Sequence, residues 1–228
     1  NDYKTMSKEY MECVWNVFKR IYDKDYVYRG FRVMPYSVSL GTPLSNFEAS
    51  SNYKETRDTC ATVKFKLKTN HPALANINVS MLVWTTTPWT LPSNTALAVN
   101  NKLIYVVFTD KNGENFICSR NYYNSKVNES ENIVSMTLTG NTLVGSFYQP
   151  VFNYNNKSGF NILHGDFVSE DKGTGIVHLA PSFGEDDFNL CIKEGVLNKD
   201  FSNLFMPVDN NGKFTSEVPE YENRLVFD

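Results

Sequence analysis

Two short stretches hold most of the side chains with which this chain could do chemistry. The first, Trp84-Thr85-Thr86-Thr87-Pro88-Trp89-Thr90-Leu91-Pro92-Ser93-Asn94, packs hydroxyls, two indoles and two prolines between two apolar runs. Proline fixes φ, so the loop is stiff, and a stiff loop can hold hydroxyls and free backbone N–H groups in the set positions that a shape-selective pocket requires. A plain inter-strand connection rich in β-forming threonine is the alternative. The second, Gly173-Thr174-Gly175-Ile176-Val177-His178-Leu179-Ala180-Pro181-Ser182-Phe183-Gly184-Glu185-Asp186-Asp187, reads as strand, turn and helix start. His178 falls near the strand end, and Asp186 and Asp187 fall in the first helical turn. A helix N-terminus stabilises a carboxylate, so both aspartates are expected to be ionised at pH 7, suited to holding a cation and not to acting as a protonated general acid. Here the alternative is that they are dipole partners alone, and one of the pair can be structural while the other is not.

Other constellations fit less well. His178 and Ser182 lack the G-x-S-x-G elbow of a Ser/His nucleophile. His178 with Glu185, Asp186 and Asp187 has a single histidine and matches no metal-ligand spacing. Gly173-x-Gly175 lacks the third glycine and the lysine of a phosphate loop and reads as a tight turn. His71 and His164 are lone histidines in polar surroundings, expected at the surface. Cys13, Cys60, Cys118 and Cys191 form no C-x-x-C pair and read as reduced thiols.

The elements that must position these stretches follow from periodicity. Met11, Val14, Trp15, Phe18, Ile21 and Tyr22 recur at three- and four-residue spacings, predicting an amphipathic helix over Lys8 to Asp23 that packs one face on something large. Thr62–Leu67 alternates as a half-buried strand. Further short strands are expected at Ser80–Thr85, Thr95–Val99, Leu103–Thr109, Asn115–Ser119, Ile133–Leu138, Thr142–Val144, Phe160–Leu163 and Gly175–Leu179, with a hairpin at Asn112-Gly113. Arg120–Glu131 reads as a solvated connection or short helix, and Gly184–Glu194 as a helix closed by Gly195. The pattern predicts an α+β fold, an antiparallel β-barrel-like core decorated by helices. No linker or repeat divides the 228 residues, so a single domain is expected, with an approach segment and helix over 1–60 and a β-rich core carrying both signatures over 61–228.

With 41% hydrophobic, 14% aromatic and 21% charged residues, the composition excludes a disordered tail, a collagen-like repeat and a coiled coil. Lys+Arg 22 against Asp+Glu 25 gives a net charge of -3, so this is no polybasic binder, and any nucleic acid must be gripped locally. No apolar run approaches the ~20 residues of a membrane span, and Asn1–Lys8 is polar without a signal-peptide pattern; a cytosolic protein with no membrane partner is expected.

At its two signatures the sequence resembles the inserted editing domain, connective peptide 1, of isoleucyl-tRNA synthetases. Val33-Met34-Pro35-Tyr36-Ser37 and Thr42-Pro43-Leu44-Ser45-Asn46-Phe47-Glu48 resemble the eukaryotic-type cytosolic enzymes, and the likeness extends over essentially the whole chain, most loosely between Lys111 and Asn161. Valyl and leucyl enzymes typically carry Arg at the position of Thr87, which points to the isoleucyl branch. The HIGH and KMSKS signatures of a class I catalytic domain do not occur in these residues. The resemblance therefore implies an editing domain of a larger synthetase that does not itself activate amino acids; ATP and Mg would serve only the synthetic domain, and editing needs no cofactor.

The implied activity is hydrolysis of the ester joining valine to the terminal adenosine of the isoleucine tRNA, with valyl adenylate as a second implied substrate. Asp187 matches the aspartate that binds the substrate α-ammonium. Thr85, Thr86 and Thr87 match the threonines lining the side-chain pocket, with Thr86, His178 and Asp187 assigned to the catalytic set. Trp84 matches a wall, His178 the histidine that helps exclude isoleucine and contacts the terminal ribose, and Asn94 a loop residue near the substrate. Implied partners are the valine-carrying acceptor end of the isoleucine tRNA and the remainder of the synthetase, with the domain a monomer. Two rivals stand beside this reading: a tRNA acceptor-end binding module whose hydrolysis needs the full-length synthetase, and a free-standing trans-editing protein.

Overall fold

Alternating and continuous apolar runs place eleven strands among the residues that the computed structural model describes, which are 3–127, 129–156 and 159–227. The chain divides into two compact units, Asn1–Arg32 and Val33–Asp228. In the first, the Ser7 hydroxyl accepts from the Tyr10 N–H and starts helix α1 (Lys8–Tyr22), which ends at Asp23 with a Lys19–Asp23 ion pair of 2.7 Å. The amphipathic stripe is as expected, yet none of its residues is buried.

In the second unit, β1 (Tyr36–Ser37) and β2 (Thr42–Pro43) form a small hairpin. A capping box of Ser45 and Glu48 then starts the one-turn helix α2 (Asn46–Ala49). The larger part is built from β3 (Ala61–Lys68), β4 (Val79–Thr85), β5 (Ala96–Val99), β6 (Ile104–Thr109), β7 (Asn115–Ser119), α3 (Arg120–Lys126), β8 (Ile133–Thr139), β9 (Phe147–Gln149), β10 (Ile162–His164), β11 (Ile176–Leu179) and α4 (Glu185–Lys193). Six strands form one sheet in the order β8-β6-β7-β4-β3-β9, and three form a second in the order β10-β5-β11.

The layering follows from which face each strand makes apolar. Phe65, Met81, Val83, Val107, Ile117 and Tyr148 of the large sheet meet Leu97, Val99, Ile162 and Ile176 of the small one in the main core. Each such side chain contributes roughly 1.5–3 kcal/mol by leaving water. Strand β5 is buried on both faces and resolves the two by size: Leu97 and Val99 fill the main core, while Ala96 and Ala98 leave room for Phe188, Leu190 and Cys191 of α4 on the other side. On the outer face of the large sheet Val106, Phe108, Phe116 and Cys118 pack against Tyr123 of α3. The layers are thus α3, large sheet, small sheet, α4.

Three expectations need correction. The barrel does not close: β8 and β9 are the two edges of the large sheet, joined to the small sheet at one corner, where the Ile162 N–H donates to the Ser146 carbonyl and Phe147 bridges Asn161. Pairing is not all antiparallel, since β4–β7 and β5–β10 are parallel. Thr142–Val144 is not a strand: Gly140–Thr142 is a 3-10 turn from which Leu143 plugs the core, and the strand lies at β9 instead. Cys118 and Cys191 are buried free thiols, Cys13 and Cys60 exposed ones. Among the described residues no helix is long and apolar enough to cross a membrane.

Candidate functional site

The two signatures lie far apart in sequence and are joined by one ladder. β5 follows the threonine loop, β11 carries His178, and the two pair antiparallel with Leu97 opposite His178 and Ala96 opposite Leu179. At the end of β4 the chain bends through Thr86 and Thr87 into a 3-10 turn over Pro88–Ser93. Pro88 sits at the first position, where its missing N–H is not needed. The Thr87 N–H donates to the Thr85 hydroxyl at 3.1 Å, and both the N–H and the hydroxyl of Thr90 donate to the Thr87 carbonyl, at 3.0 and 2.8 Å. The loop is therefore fixed by its own threonines as well as by its prolines.

Opposite the loop, the chain leaves β11, turns at Ala180–Gly184 and enters α4 with Asp187 in its first turn. The Ala180 N–H donates to Asp187 Oδ2 at 2.9 Å. Burial pushes the Asp187 carboxyl above its ordinary value, while the Ala180 N–H opposes that shift and the neighbouring Asp186 charge adds to it. The shift runs against the helix-dipole stabilisation weighed from the sequence, because a cavity wall imposes desolvation that the dipole does not cancel. Asp186 is exposed and does not line the cavity.

Between loop and turn lies a cavity of about 400 Å³ lined by Trp84, Thr85, Thr86, Thr87, Trp89, Thr90, Phe167, Lys172, His178, Phe183, Gly184 and Asp187, among others. Of the expected site residues the structure brings Trp84, Thr85, Thr86, Thr87, His178 and Asp187 together around it. Asn94 does not line it. Only 2% exposed, Asn94 sits behind His178, its Nδ2 2.9 Å from His178 Nδ1. Burial pushes the His178 imidazole down from about 6.5 to about 4, so the ring is neutral at pH 7. Trp89 packs edge-on against Phe183, with ring centroids 4.9 Å apart. Sequence reasoning did not single out Trp89, Thr90 or Phe183 as site residues; Thr90, three residues after Thr87 in a Pro-initiated turn, carried the one local signal.

The two glycines that line the cavity are required by space. Gly173 has φ +66°, and a Cβ there would also lie 2.8 Å from the Trp84 indole, so glycine lets the strand approach that wall. At Gly184 a Cβ would lie 2.6 Å from Asp187 Oδ2. Gly184→Ala is expected to rotate the carboxylate off the buried Ala180 N–H and lower stability by about 1–3 kcal/mol in urea melts. Unchanged stability would mean that the carboxylate keeps that bond beside a methyl group.

The arrangement offers one desolvated carboxylate for a cationic group, hydroxyl and backbone donors for a polar centre, aromatic walls for an apolar group, and a neutral imidazole. Residues 1–211 match the family model described as tRNA synthetases class I (I, L, M and V), and the chain belongs to that family. Its whole length aligns at 48% identity with the probable cytoplasmic isoleucine--tRNA ligase of Dictyostelium discoideum, covering 22% of that protein. It aligns at 42% with the cytoplasmic isoleucine--tRNA ligase of Saccharomyces cerevisiae, covering 21%. The chain thus spans about a fifth of the length of these relatives. Its fold is similar to that of the solved structure GlLeuRS-CP1, with a TM-score of 0.51 at 19% identity over 66% of this chain and 70% of that one. By family model and relatives together, it is a class I synthetase domain most like part of isoleucine--tRNA ligases, with a fold similar to that CP1 structure.

Proposed function

We propose that this domain hydrolyses the ester linking valine to the terminal adenosine of the isoleucine tRNA. The observation that carries the reading is the Asp187 carboxylate, half-buried in the cavity wall, held by the Ala180 N–H and facing a hydroxyl-lined loop. An aminoacyl ester presents an α-ammonium beside its reacting carbonyl. That ammonium would pair with Asp187 in a charge-assisted bond worth about 1.5–3 kcal/mol and offset the burial that raises its carboxyl. The valine side chain would then rest among the threonine loop and the indole walls, with the neutral His178 ring limiting the space for a further methylene.

The need for such a site is energetic. A synthetic pocket separates isoleucine from valine by only about 1–3 kcal/mol per methylene, isoleucyl-tRNA synthetase being itself the standing example of that limit. A second pocket that admits the smaller side chain supplies the rest. In the hydrolysis a water oxygen adds to the ester carbonyl carbon, its proton passes to solvent or the ribose, and the bond to the ribose oxygen breaks, leaving free valine and tRNA. No protein nucleophile is invoked. Thr86 and its neighbours orient the carbonyl and the water, and orientation with polarisation carries the rate. The reading calls on no cofactor; its partners are the tRNA acceptor end and the rest of the synthetase.

The test is amino-acid release from valyl- and isoleucyl-tRNA(Ile), by this chain and by the synthetase containing it. Valine-selective release is expected. Release only by the full synthetase would assign this chain to acceptor-end binding, and no release by either would overturn the proposal.

A further inference from the structure

A buried hydrogen-bond chain runs from the far edge of the large sheet to the cavity wall. Tyr148 of β9, 2% exposed, donates its hydroxyl to Asn94 Oδ1 at 2.6 Å. Asn94 Nδ2 has two hydrogens and two acceptors, the Ala96 carbonyl at 3.1 Å and His178 Nδ1 at 2.9 Å. An amide nitrogen cannot accept, so Nδ1 must, and the His178 proton resides on Nε2. Nε2 then donates to the Thr90 hydroxyl at 2.9 Å, which passes its own proton to the Thr87 carbonyl at 2.8 Å. Every link has one direction, and the series ends on the backbone of the threonine loop.

We propose that Tyr148 is a positioning residue for the site: through Asn94 its hydroxyl fixes the orientation and the Nε2–H tautomer of the His178 ring, and thereby the selectivity of the cavity. The selectivity half rests on the proposed editing function; the tautomer half does not. Without the hydroxyl, Asn94 Oδ1 is a buried acceptor with no donor. The amide then has reason to turn toward another partner, which frees Nδ1 to carry the proton. The same turn would take the donor from Thr90 and loosen the loop at Thr87.

Tyr148→Phe keeps the ring that packs against Phe65 and Phe160, with centroids 5.4 and 5.8 Å away. The experiment records the ring 15N signals of His178 by NMR in this chain, then valine against isoleucine release. In the unmodified chain Nδ1 should read as unprotonated and Nε2 as protonated. In Tyr148→Phe the two nitrogens are expected to approach mixed-tautomer values and the valine preference to fall by about tenfold, as expected for one orphaned buried acceptor. Asn94→Asp, which can only accept, should move the proton to Nδ1. Unchanged His178 signals in Tyr148→Phe would overturn the proposal. Mixed signals with full valine preference would overturn its selectivity half. Mixed signals where neither this chain nor the synthetase containing it releases valine would leave the lock standing and remove the editing function.

Discussion

Asp187→Asn is expected to lower valine release, as kcat/KM, by about one to two orders of magnitude, the equivalent of a lost charge-assisted contact of about 1.5–3 kcal/mol. Asparagine keeps an oxygen for the Ala180 N–H, so the turn stays intact while the charge is removed. Asp187→Ala should abolish release but also leaves that N–H without its partner. Asp186→Ala, at an exposed position off the cavity wall, should change release by less than about twofold. Equal losses at both positions would indicate a shared carboxylate site. The pH dependence separates function from stability. Because the folded Asp187 carboxyl titrates above its ordinary 3.8, the ionised, substrate-binding form is lost as pH falls through that raised value. Stability runs the opposite way: the fold prefers this group protonated, so its contribution is full below 3.8 and is lost as pH rises through the folded value. Urea melts at pH 7 should accordingly find Asp187→Asn no less stable than the parent chain.

His178→Ala is expected to erase most of the preference for valine, with isoleucyl-tRNA now hydrolysed at a rate approaching that of the valyl ester. Removing a ring from the cavity wall opens space for more than one methylene, and a methylene is worth about 1–3 kcal/mol of discrimination. Unchanged selectivity in release assays would place the sieve elsewhere, with Trp89 and Phe183 the next walls to test. The same variant has an acid signature. His178 is neutral in the fold down to about pH 4 and charges near 6.5 when unfolded, so its contribution to stability is full above 6.5 and is lost as pH falls toward 4. The parent chain should lose more stability between those values than His178→Ala does, a comparison that urea melts at pH 7 and pH 4.5 make directly.

Much of the site was legible because its determinants are local. Thr85 to Pro88, the Gly173 turn and the third residue of α4 announce themselves by residue type within a few positions, and the structure gathers them around one cavity. The strands with clear alternation or apolar runs were legible for the same reason: β3, β4, β6 and β7 each fall within a residue or so of their expected bounds. What was not legible depends on distant partners. Leu143 and Val144 look like a strand because an apolar residue that plugs a core from a turn has the same chemistry as one in a ladder. The three residues of β9 are too few to show a period. Tyr148 gave no local sign of its part, because its contact with Asn94 crosses 54 positions. The upward shift of the Asp187 carboxyl was not legible either, because a helix dipole can be read from sequence whereas burial cannot.

The β5–β11 ladder makes the two walls of the cavity a single mechanical unit. The Asn112-Gly113 turn and the stretch after α3 are excursions from which the chain returns to a fixed register, so length changes there leave the cavity as it was. Inside the ladder there is no such freedom. A single residue gained or lost within β11 would turn His178 to the α4 side and carry the Ala180–Asp187 turn out of step with the threonine loop. The domain is therefore open to divergence in its outlying turns and fixed in length along β11.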